Sequence, residues 1–220
     1  MPTRNVLVLG ATGGTGREVV VQALTAGLGV AVIVRDPARL PAVSRPVTVI
    51  NGDILRDPST LDHAMRGQDA VICALGTGRS FEPHGLMAQA VPSLIGAMQR
   101  AGVSRLVFTS AFGLGATWSD TPLLPRLFIR TLLRKIYADK SVGEASIRAS
   151  SLDYTIVQPV GLTDGPRTDH VRVGEHLALS GVPTVSRVDV AAVILRVLDD
   201  ADTIRKTLLI ASRGGPHPHG

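Results

Sequence analysis

The sequence predicts an α/β fold: a single doubly wound, Rossmann-like parallel sheet with helices on both faces. Three observations predict it. Short apolar runs rich in β-branched residues alternate with segments of helical periodicity along the whole chain. The first run passes straight into a glycine turn and a helix. At 220 residues, 45% of them hydrophobic, the chain fits one domain with a full core.

The chain is organised around Asn5 to Gly16, NVLVLGATGGTG. Val6 to Leu9 reads as a strand covered on both faces. Gly10, Gly13 and Gly16 follow at spacing three, and from Arg17 onward Val20, Val21, Leu24 and Leu28 recur at helical steps. Glycines in such a turn let the backbone bend tightly and approach a pyrophosphate. The free N–H groups at the helix start then hold the phosphate oxygens. Thr12 stands where the second glycine of the best-known fingerprint would be, so the pattern is G-x-x-G-x-x-G. Gly10, Thr12, Gly13, Gly14, Thr15 and Gly16 are the candidate phosphate loop.

Gly29 to Arg35 is the second strand, ending in Arg35-Asp36-Pro37 with Arg39 one turn on. At this place in a Rossmann unit an acid binds a free ribose 2′-OH, whereas an arginine accommodates a 2′-phosphate. Arg35, supported by Arg39, favours NADPH, and Asp36 leaves NADH as the lesser alternative. Val47 to Ile50 is the third strand, running into Asn51-Gly52-Asp53-Ile54; Asp53 also suits a turn cap ahead of Pro58-Ser59. Ser59 to Arg66 is a short helix with His63 at the surface. Asp69 to Leu75 is the fourth strand, and Gly76-Thr77-Gly78 after it lets the main chain approach a cofactor near the point where strand order reverses.

Gly85 to Ala101 is a helix with Leu86, Ala90, Leu94 and Met98 facing inward. Arg105 to Thr109 is the fifth strand, leading to Ser110. The stretch from Leu114 to Pro125, with Trp118, Asp120 and Pro122, reads as a loop. One helical pattern then runs from about Leu123 to Ala149, with Arg126, Arg130 and Arg134 at steps of four on one face. A solvated face is the first reading of that stripe, a lid over an anionic substrate the second, and membrane-surface contact the last. Tyr154 to Val157 is the sixth strand, followed by Gln158-Pro159-Val160-Gly161. Leu162 to Asp169 reads as a substrate loop, Pro183 to Ser186 as a short strand, Val188 to Leu198 as a helix, and Thr207 to Ile210 as the last strand. Residues 1–212 therefore form one domain, with a substrate-loop region at about 114–125 and 161–186. Residues 213–220 form a flexible tail whose His217 and His219 have too few partners for a metal site.

The net charge of +5 comes from scattered residues, mostly arginine, which suits an anionic small molecule. Aromatic residues are 3% of the chain, too few for base-stacking platforms, so no nucleic-acid partner is expected. No apolar stretch approaches the ~20 residues of a membrane span. The single cysteine, Cys73, excludes an internal disulfide and suits a reducing cytoplasm; the immediate first strand leaves no room for a signal peptide. A monomer or homodimer is expected.

The motifs GATGGTG (10–16), VRDPARL (34–40), GDIL (52–55), GQDAVI (67–72), LGTG (75–78), TSAF (109–112) and LDYTIVQP (152–159) occur in one order. Together they resemble the atypical short-chain dehydrogenase/reductase family with an NAD(P)H-binding Rossmann fold, and within it the biliverdin-IXβ reductase/flavin reductase group, over nearly the whole chain to about Ser212. The resemblance implies that Asp53 and Ile54 contact adenine, that Leu75, Gly76 and Thr77 border the cofactor, and that Pro159 and Val160 border the nicotinamide. It implies catalytic roles for Ser110 and Lys140, both also beside the cofactor: Ser110 through its hydroxyl, Lys140 by holding the nicotinamide ribose in a D-K-x-x-x-E helix with Asp139 and Glu144. The plainer readings are a Ser110 hydroxyl capping Gly113 and a Lys140–Glu144 surface ion pair. The usual Y-x-x-x-K pair, which lowers a tyrosine pKa for proton transfer, is absent: Tyr137 and Lys140 are three apart. The histidines that the flavin and biliverdin reductases carry are replaced by Gly161, Lys140 and Glu144. The expected function is NADPH-dependent hydride transfer to a conjugated acceptor: a flavin, a biliverdin-like tetrapyrrole or a quinone. The alternative is a non-catalytic NADP(H)-binding redox sensor resembling NmrA-type regulators. A sugar-nucleotide epimerase is discounted because the chain is short and the tyrosine misplaced.

Overall fold

Alternation within the first strand sets both faces of the sheet. In β1 (Asn5–Leu9), Val6 and Val8 point to one layer, and Leu7 and Leu9 to the other; all four are buried. The computed structural model describes residues 4–78, 80, 82–119, 121, 123–168 and 170–212. After β1 the chain forms α1 (Gly14–Thr25), β2 (Gly29–Val34), β3 (Thr48–Asn51), α2 (Ser59–Ala64), β4 (Ala70–Cys73), α3 (Leu86–Ala101) and β5 (Arg105–Thr109). It continues through α4 (Leu123–Thr131), α5 (Arg134–Ala149), β6 (Asp153–Pro159), β7 (Gly161–Thr163), β8 (Val171–Gly174), β9 (Thr184–Ser186), α6 (Arg187–Leu198) and β10 (Lys206–Ser212).

The main sheet has eight strands in the order β3-β2-β1-β4-β5-β6-β10-β8. Chain direction along the sheet reverses between β1 and β4, which makes the C-terminal ends of these two strands the switch point. Helices α1 and α6 cover one face through Val19, Val20, Ala191 and Ile194. The other face is covered by α2, α3 and α5 through Leu61, Leu94, Met98 and Ile147. The predicted inward face of α3 holds for Ala90, Leu94 and Met98, while Leu86 is only partly buried.

Three expectations are corrected. The sheet is not wholly parallel: β8 pairs antiparallel with β10, Val173 opposite Ile210. This strand and β7 lie where a substrate loop is expected, whereas β9 is the short strand expected over Pro183 to Ser186 and pairs with β7 in parallel. β7 and β8 are only three and four residues long, too short for a periodic signal to stand out in the sequence. The helix expected over 123–149 is two helices, so Arg134 starts α5 and shares no helical face with Arg126 and Arg130 of α4. The Thr131 hydroxyl donates back to the Leu127 carbonyl at 2.9 Å, a bond that bends and weakens a helix end. The loop before α4 contains a 3-10 turn, Gly115–Trp118. Asp120, Pro122, Asp169 and the 213–220 tail with His217 and His219 lie outside the described residues.

Helix α5 is tied to the start of α3 by a buried carboxylate. The Asp139 oxygens accept the Met87 N–H at 2.9 Å and the Ala88 N–H at 3.2 Å. The α3 N-cap, Gly85, offers no side-chain acceptor, so Asp139 supplies the missing cap from another helix. Replacing Asp139 by Ala should cost about 2 kcal/mol of unfolding free energy. Urea denaturation showing a loss below about 0.5 kcal/mol would contradict this role.

Candidate functional site

The glycine turn after β1 is forced by close backbone contacts. Gly10 has φ +83°, and a Cβ on it would collide with the Ala74 carbonyl at the end of β4. A Cβ on Gly16 would collide with the Gly10 carbonyl, so strand and helix meet backbone to backbone. The Gly13 N–H closes the turn onto the Gly10 carbonyl at 2.9 Å. Helix α1 then begins with no side-chain cap and no acid in its first turn. Its orphan N–H groups and the positive end of its dipole stand at the switch point with no anion of the chain's own among the described residues. Gly76, beyond β4, has nothing within 4 Å of a would-be Cβ, so its small size serves no packing contact among the described residues.

At the end of β2, Arg35 and Arg39 are exposed, with no ion pair among the described residues. Asp36 accepts the Ala38 N–H at 3.1 Å as the cap of a 3-10 turn over Pro37–Arg39. Asp53 also acts as a cap, accepting the Leu55 N–H at 3.0 Å. Ile54 is buried in the core with Leu9 and Ile33. Leu75 is half-buried against the same core, and Thr77 closes a turn by accepting the Ser80 N–H at 3.1 Å.

Ser110 lies where β5 ends, its N–H on the Val157 carbonyl at 2.8 Å. Ser110 is 5% exposed, and neither its Oγ nor the neighbouring Thr109 Oγ1 has a hydrogen-bond partner among the described residues. The plainer expectation, a Ser110 hydroxyl capping Gly113, is not what forms: the Gly113 N–H donates to Thr117 Oγ1 at 3.0 Å. Two orphaned hydroxyls beside the switch point fit a ligand that completes their bonding. Pro159 and Val160 close the same end of the sheet, Pro159 accepting the Phe112 N–H and Val160 donating to Ile210.

Helix α5 carries Tyr137, Asp139, Lys140 and Glu144. Lys140 Nζ donates to the Thr109 carbonyl at 3.4 Å, one residue before Ser110. Burial pushes its pKa down, partly offset by the nearby Cys73, Glu144 and Asp139. Burial also pushes the Cys73 thiol up to about 11, so this cysteine is a packing residue at neutral pH. No surface Lys140–Glu144 pair forms. Glu144 is buried, pairing with Arg148 at 3.1 Å and accepting from Gln158 Nε2 at 2.7 Å. Gln158 Oε1 accepts the Thr117 hydroxyl at 2.6 Å. This Glu144–Gln158–Thr117 chain, which supports the loop after Ser110, was not found by sequence reasoning; three buried polar residues on separate elements leave no local pattern. Arg187, whose side chain lies across Gly14, was also missed.

Tyr137 donates its hydroxyl to the Phe112 carbonyl at 2.8 Å. Burial raises its pKa to about 12. A phenol shifted upward and bonded to the backbone is the reverse of the acidified tyrosine that Y-x-x-x-K chemistry needs. A groove lined by Asp69, Ser104, Arg105 and Asp199 lies at the opposite, N-terminal ends of the strands. There Arg105 donates to the Val197, Leu198 and Asp153 carbonyls, which makes it part of the packing of α6. Among the described residues no helix is long and apolar enough to cross a membrane.

Residues 10–201 match a protein family described as NAD(P)H-binding. An uncharacterised chloroplastic protein of Arabidopsis thaliana is 30% identical over 225 residues, covering 96% of this chain and 78% of that protein. An Emericella nidulans protein named oxidoreductase StcQ is also 30% identical, over 89% of this chain and 77% of its own length. Among solved structures, ChuY, described as an anaerobilin reductase from Escherichia coli O157:H7, aligns with a TM-score of 0.79 at 24% identity, covering 96% of this chain and 98% of that one. The last likeness is one of fold.

The Tyr137 environment gives a pH prediction. Its folded pKa of about 12 exceeds the ordinary 10.0, so the fold favours the neutral phenol. That contribution is fully present below pH 10.0 and is lost as pH rises through about 12. Phenolate absorbance should show one tyrosine ionising only near pH 12 in the folded protein, a step missing in Tyr137→Phe. A Tyr137 step at or below 10.0 would contradict the buried hydrogen bond.

Proposed function

The chain belongs to the NAD(P)H-binding oxidoreductase family, and from that premise we propose that it is an NADPH-dependent reductase of flat conjugated acceptors: a flavin, a biliverdin-like tetrapyrrole or a quinone. The observation that carries the acceptor class is the contrast between Tyr137 and Ser110. Tyr137, bonded to the Phe112 carbonyl and shifted upward by burial, is no proton donor for an alkoxide. Ser110 offers a hydroxyl with no partner among the described residues where the acceptor and reacting ring would meet. A conjugated acceptor spreads the charge of an arriving hydride over its ring system and takes its proton from water. The protein then has to position two flat molecules and exclude water between them.

When bound, NADPH supplies the hydride from C4 of its nicotinamide and leaves as NADP+. The uncapped start of α1 and the Gly10–Gly16 turn hold the pyrophosphate. Arg35 and Arg39 hold the 2′-phosphate, a reading supported by their freedom from other partners and by the use of Asp36 as a cap. Asp53 and Ile54 flank the adenine, while Leu75, Gly76 and Thr77 line the path between the two nucleotide halves. Lys140, Pro159 and Val160 border the nicotinamide ribose and ring, and Ser110 donates to the reacting ring or to the acceptor. ChuY, which has the same fold, is described as an anaerobilin reductase, and this supports the acceptor class.

Losing a charge-assisted phosphate contact costs about 1.5–3 kcal/mol, or roughly tenfold to a hundredfold in affinity. Arg35→Ala should therefore weaken NADPH far more than NADH in titration calorimetry; equal losses would sink the NADPH assignment. Ser110→Ala should lower kcat about tenfold in NADPH oxidation across flavin, quinone and tetrapyrrole acceptors, with NADPH affinity little changed. An unchanged kcat for every accepted substrate would remove Ser110 from the chemistry.

A further inference from the structure

We propose that Arg187, the first residue of α6, is a pyrophosphate-binding residue of the cofactor site, reaching the phosphates from the side opposite the β4 loop. The assignment rests on the NADPH reading of the glycine turn and adds to it a side chain from the far end of the chain. Its first support is Gly14. The turn's bends and close contacts are met by Gly10, Gly13 and Gly16 at spacing three, and Gly14 lies outside that spacing. A Cβ on Gly14 would fall 2.6 Å from both Cδ and Nε of Arg187. The absence of a side chain at this first residue of α1 is what makes room for the arginine stem.

Arg187 is also built into position from below. The Ser186 hydroxyl caps α6 by accepting the Asp189 N–H at 3.1 Å and donates to the Asp189 carboxylate at 2.9 Å. Asp189 further accepts the Thr168 hydroxyl at 2.7 Å, which anchors the preceding loop. From α1, Gln22 Nε2 donates to the Val188 carbonyl at 2.9 Å. The backbone at Arg187 is therefore fixed against α1, and its stem crosses the helix where the orphan N–H groups stand.

The guanidinium is left with donors to spare. Nη1 pairs with Asp164 Oδ1 at 2.5 Å, while Nε and Nη2 have no partner among the described residues. Arg187 is 27% exposed and Asp164 89%. A pair with one partner so exposed is weak and readily exchanged for a doubly charged pyrophosphate. Helix dipole, amide donors and a planar cation then converge on one anion, and Asp164 serves only to hold the arginine near the turn before the cofactor arrives.

The test compares Arg187→Gln, Arg187→Lys, Asp164→Asn and Arg35→Ala in the full chain, each checked for an unchanged melting temperature. Binding of NADPH, ADP-ribose and adenosine 2′-monophosphate is measured by calorimetry or by competition with NADPH fluorescence. Arg187→Gln should weaken NADPH and ADP-ribose alike, roughly tenfold to a hundredfold, and leave adenosine 2′-monophosphate unchanged. Arg35→Ala should weaken NADPH and adenosine 2′-monophosphate and spare ADP-ribose. Arg187→Lys should recover part of the loss, and Asp164→Asn should bind NADPH at least as well as the unaltered chain. Unchanged or tighter NADPH binding by a folded Arg187→Gln would overturn the assignment. So would an equal loss in Asp164→Asn, which would show that the ion pair merely closes a loop. Failure of the unaltered protein to bind NADPH would remove the cofactor reading itself, a result distinct from either.

Discussion

Everything at the candidate site depends on backbone touching backbone at Gly10. A Cβ there would collide with the Ala74 carbonyl, and a Cβ at Gly16 would collide with Gly10 itself. Two strands and a helix are thereby drawn together at the point where strand order reverses. The same closeness leaves the first turn of α1 uncapped and free of acids. A packing requirement and an anion-binding requirement are met by the same residues, because glycine is the one residue that serves both.

The second constraint is helix α5. In ordinary short-chain reductases the corresponding helix carries the tyrosine and lysine of the Y-x-x-x-K pair. Here its polar residues hold the structure around the site. Asp139 caps α3, Glu144 holds Gln158 and through it Thr117, and Tyr137 holds the Phe112 carbonyl. Only Lys140 reaches the end of β5, at the Thr109 carbonyl beside the unpaired Ser110 hydroxyl. A site with fixed loops, an orphan hydroxyl and no acidified phenol is better suited to positioning a conjugated acceptor than to stabilising an alkoxide.

The central strands and the glycine turn were legible in the sequence because a buried parallel strand is a continuous apolar run and a glycine spacing is local. The placement of Arg35 and Ser110 at strand ends was legible for the same reason, each following such a run. Three things were not. The antiparallel edge strand β8 is only four residues long, too short for its Val171-Arg172-Val173 alternation to stand out, and it is held by pairing with β10. The break between α4 and α5 falls where the sequence has neither a glycine nor a proline to mark it; the Thr131 hydroxyl bonds back to the Leu127 carbonyl at this end of α4. Asp139, Glu144 and Arg187 owe their roles to partners 52, 14 and 23 residues away or to a helix at the other end of the chain. Charged residues on a helix read as solvent-facing until the tertiary fold buries them. The one local trace of Arg187 is the extra glycine at position 14.

The most direct test of the account is whether hydride leaves the cofactor for an acceptor on this protein. NADPH deuterated at the transferable C4 position is supplied with a flavin, a quinone and a tetrapyrrole in turn, and the reduced products are examined by mass spectrometry. The account predicts one deuterium in the reduced form of at least one acceptor, and slower turnover if hydride transfer limits the rate. Tight NADPH binding with a conformational response to cofactor redox state, but no label in any product across the panel, would contradict it and identify the chain as a redox sensor.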